Sequence, residues 1–169
     1  MKINALLDVN VVAHESEDEV AVLLELEAPA AISEVTRPQA SLQVVLDRSG
    51  SMTGVPLEGA KKALIALVRR LEPSDNFGLV TFDDSAQIVV PAGPLTDKES
   101  VIHLIEGVHS GGSTDLSAGY LRGLREIRRV AGDSGGTVLV VSDGHVNAGI
   151  QNVDEFASIV HSGQLQTFA

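Results

Sequence analysis

Two runs near the start of the chain alternate apolar and polar residues one by one. Ile3, Ala5, Leu7, Val9 and Val11 share one face of residues 2–11, while Lys2, Asn4, Asp8 and Asn10 fall mostly on the other. Across 20–27, Val20, Val22, Leu24 and Leu26 oppose Glu25 and Glu27. Period-two alternation predicts half-buried strands, and the charged HESEDE connection between them predicts an antiparallel hairpin. Residues 28–40, with Pro29 and Pro38, read as a linker. The expected division is therefore 1–40, hairpin and linker belonging to an accessory β-domain, and 41–169, a larger domain.

From residue 41 the pattern changes. Leu42, Val44, Val45 and Leu46 form a short apolar run, as in a central strand covered on both faces. After a Ser/Gly loop, Pro56 takes a first helical position, and Leu57, Ala60, Leu64, Leu67 or Val68, and Leu71 recur at helical spacing until Pro73. Residues 77–82 and 86–90 are two β-rich runs split by Asp83, Asp84 and Ser85, a predicted hairpin. Asp97 opens a short helix carrying Val101, Leu104, Ile105 and Val108. Leu116, Tyr120, Leu124 and Ile127 line another, with Arg122, Arg125, Arg128 and Arg129 on its solvated side. Residues 137–142 form a second apolar strand, Val153, Phe156, Ile159 and Val160 mark a last helix, and 165–169 resemble a strand just begun. Strand–helix alternation predicts an α/β fold: a doubly wound, mainly parallel sheet with helices on both faces, plus the N-terminal β-hairpin.

Composition narrows the function. The chain has 169 residues, 44% of them apolar, so it can build one proper core but not two large domains. Aromatics make up 3% and Trp is absent, which leaves the core to Leu, Val, Ile and Ala. A formal net charge of -11 argues against a nucleic-acid backbone or an anionic membrane surface as partner. With no cysteine, disulfides, thiolate metal sites and a Cys nucleophile are excluded. The N-terminus lacks the apolar block of a leader, and no apolar run reaches membrane-spanning length, so the cytoplasm is the expected location.

The candidate chemistry lies in three separated stretches: Asp47, Ser49 and Ser51 in LDRSGSM, Thr114 in GGSTDL, and Asp143 in VVSDG. Two carboxylates and three hydroxyls are hard oxygen donors, suited to a small divalent cation such as Mg²⁺, with Mn²⁺ or Ca²⁺ as alternatives. Asp47 and Asp143 each end an apolar strand. If those strands are neighbours, both carboxylates emerge at the carboxyl edge where open α/β sheets bind ligands. Ser49 and Ser51 follow Asp47 at spacing two, so an extended loop turns all three the same way, and Gly50 lets the backbone bend closely. Thr114 alone reads as a helix cap; in company with the other loops it reads as a ligand. Asp83 and Asp84 read as turn residues and Asp115 as a first-turn residue favoured by the helix dipole. His145 reads as an exposed loop histidine. Two enzyme-like or cofactor readings stand beside the metal site. Asp47 could serve as a phosphoryl-accepting nucleophile, although no D-x-D follows it. SGSMTG could cradle the phosphate of a flavodoxin-like FMN protein, although little is present to stack on the flavin.

The order D-x-S-x-S, distant Thr, distant Asp resembles the metal-ion-dependent adhesion site of the von Willebrand factor A domain, and the GGST and SDG flanks match it too. The similarity spans about residues 41–169. It implies that Ser49, Ser51 and Thr114 bind through hydroxyls, with Asp47 and Asp143 direct or through water. It further implies a divalent metal, usually Mg²⁺, a protein partner donating a carboxylate to the open position, and no enzyme activity. The N-terminal hairpin with this motif is similar to a bacterial intracellular subgroup whose accessory β-domain is often built from both flanks of the A domain. The resemblance implies more chain after Phe168, namely the rest of a strand, a helix and a strand. A terminal strand left at an open edge would then drive self-association.

Overall fold

The computed structural model describes residues 2–7, 21–27, 37–132 and 135–165. Contacts divide the chain into two units, Met1–Arg37 and Pro38–Ala169.

In the first unit β1 (Lys2–Leu7) and β2 (Val22–Glu27) pair antiparallel, with Ile3 opposite Leu26 and Ala5 opposite Leu24. Period-two alternation thus places Ile3, Ala5, Leu24 and Leu26 on one face, as the pattern predicts. Half-burial does not follow: Ile3 is 61% exposed and Leu26 67%. The two strands by themselves have no second layer to cover either face. Residues 8–20, which hold the predicted ends of both strands and their connection, and 28–36 of the linker lie outside the described residues.

The second unit carries a sheet in the order β5-β4-β3-β6. β3 (Ser41–Asp47) lies inside it, parallel to β4 (Asn76–Phe82) on one side and to β6 (Thr137–Val141) on the other; β5 (Ala86–Pro94) returns antiparallel to β4. The predicted α/β architecture is the one observed. Gln43 to Asp47 are all buried, because successive side chains of β3 enter different layers. Val44 and Leu46 join Leu57, Leu64 and Val68 of α1 (Val55–Arg70) and Ile102 and Ile105 of α2 (Lys98–Glu106) in one core. Each such buried aliphatic side chain stabilises the fold by about 1.5–3 kcal/mol. On the opposite face, α3 (Leu116–Arg128) lies so close that a Cβ on Gly123 would sit 2.4 Å from Val45 Cγ2. α4 (Val153–Leu165) meets α3 through Phe156, edge-on to Tyr120 at 5.4 Å.

Several boundaries differ from the pattern. Pro56 is the second residue of α1, after Val55, and the helix ends at Arg70, before Leu71. β6 is covered less than a central strand, with Leu139 39% exposed, because among the described residues it pairs on one side alone. Leu165, expected to begin a strand, is the last residue of α4, and 166–169 lie outside the described residues. Asp97 caps α2 as expected, accepting the Ser100 N–H. Among the described residues no helix is long and apolar enough to cross a membrane.

Candidate metal centre

β3 and β6 are parallel neighbours, so their carboxyl ends open on the same edge. Asp47 is the last residue of β3, whereas Asp143 lies two residues beyond the end of β6, not at its last position. The loop after β3 is not extended as expected. A 3-10 turn spans Gly50–Met52, closed by Met52 N–H on Ser49 O at 3.0 Å. The turn still brings Ser49 Oγ and Ser51 Oγ within 3.2 Å of each other. Gly50 is not demanded by crowding, since a Cβ there would meet nothing nearer than Gly112 O at 3.6 Å. Its contribution is its N–H, which donates to that carbonyl at 2.8 Å.

Hydrogen bonds tie each of the three loops to the other two. Gly111 N–H donates to Arg48 O at 2.6 Å, and with the Gly50 bond this fastens the first loop to the glycine loop. Thr114 N–H donates to Asn147 Oδ1 at 2.7 Å, and Thr114 O accepts from Ala148 N–H at 3.1 Å, joining the glycine loop to the third. Ser142 Oγ donates to Asp47 Oδ2 at 2.7 Å, closing the triangle. Asp47, Ser49 and Thr114 are buried, at 0%, 1% and 1% exposure. Asp47 is therefore tied to the Ser49 N–H and to Ser142, the Ser49 and Ser51 hydroxyls to each other, and Thr114 to the third loop through its backbone.

The donors match a hard cation. Ser51 first, then the His145 N–H, hold the Asp143 carboxyl below its ordinary value, so it is anionic at neutral pH. His145 is exposed, as expected, but its Nδ1 lies 3.3 Å from Asp143 Oδ1. Among the described residues no cluster of three or more His, Cys, Asp or Glu could hold a metal. Any cation here must therefore rely on hydroxyls beside two carboxylates. Thr114 is not the cap of α3: that role falls to Asp115, whose carboxylate accepts from Ala118 N–H at 2.9 Å. Asp115 stands one place before the first turn in which it was expected.

Three residues that hold the loops escaped the pattern. Ser142 and Asn147 make the bonds given above. Asp83 is a turn residue, accepting from Ser85 N–H at 3.1 Å, but it also pairs with Arg48 at 2.7 Å. A Cβ on Gly111 would lie 2.2 Å from Asp83 Oδ2, so the glycine loop must pass over this carboxylate as glycine. Burial pushes the Asp83 carboxyl up, but the Ser85 and Gly112 N–H groups and the Arg48 guanidinium hold it below its ordinary 3.8. A depressed folded pKa stabilises the protein above the unfolded value, and that gain disappears as pH falls through the folded value. Asp83→Asn is accordingly expected to be less stable than wild type at neutral pH. The gap should narrow as pH falls below the ordinary carboxylate value of 3.8. Urea midpoints at several pH values measure this; a gap independent of pH would mean that the charge on Asp83 contributes nothing.

The family model for the von Willebrand factor type A domain matches residues 42–169, and the chain belongs to that family. The uncharacterized protein sll0103 of Synechocystis sp. is 33% identical over 104 residues, which cover 62% of this chain and 25% of that protein. Human inter-alpha-trypsin inhibitor heavy chain H3 is 29% identical over 115 residues, covering 62% and 13%. The chain thus spans a quarter or less of the length of these relatives. Among solved structures, an aerotolerance-related membrane protein of Bacteroides fragilis matches with a TM-score of 0.63 at 22% identity, covering 75% of this chain and 63% of that one. Proximal thread matrix protein 1 from the mussel byssus, in a structure with a zinc-occupied MIDAS motif, matches at 0.55 and 23% identity, covering 74% and 36%. At such identities the structural likeness shows the fold.

Proposed function

We propose that this domain is a metal-dependent protein-binding module. Asp47, Ser49, Ser51, Thr114 and Asp143 would hold a divalent cation, Mg²⁺ first, with Mn²⁺ or Ca²⁺ as alternatives. Bound there, the cation would supply an electrophilic centre that attracts a further oxygen ligand. An acidic residue of a protein partner fits that role, because only two carboxylates come from this chain. The observation that carries the reading is the closed triangle of loop contacts, which gathers the loops of Asp47, Ser49 and Ser51, of Thr114 and of Asp143 at one sheet edge. Support also comes from the zinc-occupied motif of the byssus protein and from the family, whose domains are generally interaction modules. Residues 1–40 would then form part of an accessory β-domain.

The competing readings fit less well. As a phosphoryl acceptor Asp47 would have to be reached by substrate, but it is 0% exposed and each of its oxygens accepts a hydrogen bond. Tyr120, the lone tyrosine, is 7% exposed and packed on Phe156, so it is not free to stack on a flavin.

Metal should raise the melting temperature, since ligands gathered from three loops are not assembled in the unfolded chain. At free metal 100-fold above its dissociation constant the gain is about 2.7 kcal/mol. Thermal melts of chelated protein with and without Mg²⁺ read this directly. No shift, together with no calorimetric heat at millimolar metal, would remove the binding site.

A further inference from the structure

Ser142 belongs to none of the five motif positions, yet its hydroxyl stands between two loops. Gly144 N–H lies 3.0 Å from Ser142 Oγ, and Asp47 Oδ2 lies 2.7 Å from it. A backbone N–H can only donate, so it occupies a lone pair of Oγ, and the single hydroxyl proton is left for the carboxylate. The short distance is that of a charge-assisted O–H···O⁻ bond. On its other oxygen Asp47 accepts the Ser49 N–H at 2.8 Å. Two donors that come from loops 93 residues apart in sequence, Ser49 and Ser142, thus fix the plane of one carboxylate. Because Asp47 is 0% exposed, bulk water cannot readily replace either donor.

We propose that Ser142 is a positioning residue that sets the Asp47 carboxylate for cation binding, through the relay Gly144 N–H to Ser142 Oγ–H to Asp47 Oδ2. The proposal rests on reading the site as a metal centre. The turn after β6 is built for the relay. Gly144 has φ +84, in the left-handed region, and a Cβ there would meet nothing within 4 Å. Glycine is required at this place by backbone conformation and not by space. That conformation directs its N–H back onto Ser142. The two successive residues of the turn then answer to the first loop: Ser142 donates to Asp47, and the Asp143 carboxyl is lowered first of all by Ser51. A shift of this turn would accordingly be felt by both carboxylates at once.

The test uses the whole chain and the pair Ser142→Ala and Ser142→Thr. Alanine removes both the donor and the acceptor of the relay, whereas threonine keeps the hydroxyl. The first readout is residue-resolved hydrogen exchange of metal-free protein at the Ser49 amide, whose partner is Asp47 and not Ser142. In Ser142→Ala that amide should exchange faster by about tenfold or more, the loss of one buried hydrogen bond. The second is Mg²⁺ titration calorimetry, where affinity should fall about 10- to 100-fold, as for other groups that orient a metal ligand. Ser142→Thr should restore both. An unchanged Ser49 amide in Ser142→Ala overturns the proposal, as does a uniform loss of protection along β3 or a threonine variant no better than alanine. Should wild type bind neither Mg²⁺ nor Mn²⁺, the metal reading fails on its own. The exchange arm would then still decide whether Ser142 orients Asp47.

Discussion

Replacing Gly119 by valine is expected to destabilise the domain by about 3 kcal/mol, the upper part of the range for overpacked cores. A Cβ at this position would stand 2.6 Å from both Cδ1 and Cγ of Phe82 and 2.9 Å from its Cβ. Phe82 is 0% exposed, and its Cβ is fixed by the backbone of β4, so the ring cannot simply swing aside. α3 would have to lift from the sheet, taking with it the start of the helix and the Thr114 loop. An interior helical glycine replaced by alanine ordinarily gains about 0.5–1 kcal/mol of backbone entropy. Gly59 supplies that control, since it lies within α1 and nothing is found within 4 Å of its added Cβ. Gly59→Ala should therefore stabilise the protein while Gly119→Val destabilises it. Urea unfolding midpoints of both variants check the sign and the size. Equal stability of Gly119→Val and wild type would mean that α3 does not rely on this close approach.

That contact shows what hydrophobic patterning can and cannot reveal. The stripe Leu116, Tyr120, Leu124, Ile127 correctly marks a helix, but the residues of α3 that are buried are Ser117, Gly119, Tyr120, Gly123, Glu126 and Ile127. Large apolar side chains set the periodicity, whereas a helix laid tightly on a sheet uses glycines, which carry no hydrophobic signal. Gln43 is a similar case. It interrupts the apolar run of β3, yet it is 0% exposed and donates to Val44 O at 3.0 Å. The hairpin of β1 and β2 was legible as alternation and antiparallel pairing. Its burial was not, because alternation marks which face is apolar without specifying what covers it.

The candidate site was legible for a different reason. Its residues fall at strand ends and in glycine-rich loops, where an open α/β sheet concentrates ligands whatever the details of packing. Asp47 and Asp143 could be placed on one edge once β3 and β6 were taken as neighbours. What joins the loops could not be read. The Ser142 to Asp47 bond crosses 95 positions, and the Arg48 to Asp83 pair joins the ends of β3 and β4. Both depend on the order β4-β3-β6, and local sequence spacing contains no information about which strands lie side by side. The 3-10 turn at Ser51 was missed because its stabilising bonds are made by backbone groups, which every residue but proline offers equally.

The two substitutions with the largest expected effect on binding, Asp143→Ala and Ser51→Ala, should each weaken Mg²⁺ or Mn²⁺ binding by about 100-fold or more, beyond the loss typical of groups that merely orient a ligand. Asp143 is the exposed carboxylate of the pair, and Ser51 is the first cause of its lowered pKa. Removing Asp143 takes away one of the two carboxylates proposed to hold the cation. Removing Ser51 takes away a proposed hydroxyl donor and also the group that most favours the charged form of Asp143. Their effects should consequently fall short of additive in the double variant, as expected for side chains that act on one another. Stability of the metal-free protein should change by no more than about 1 kcal/mol, because both side chains lie on loops at the sheet edge. Asp84→Ala, an exposed carboxylate of the neighbouring hairpin, serves as the control for loss of a nearby charge and should leave affinity within about twofold. Calorimetric titration with metal, alongside circular dichroism, separates binding from folding. Near-normal affinity in either single variant would remove that residue from the site, and strictly additive losses would show that Ser51 and Asp143 act independently.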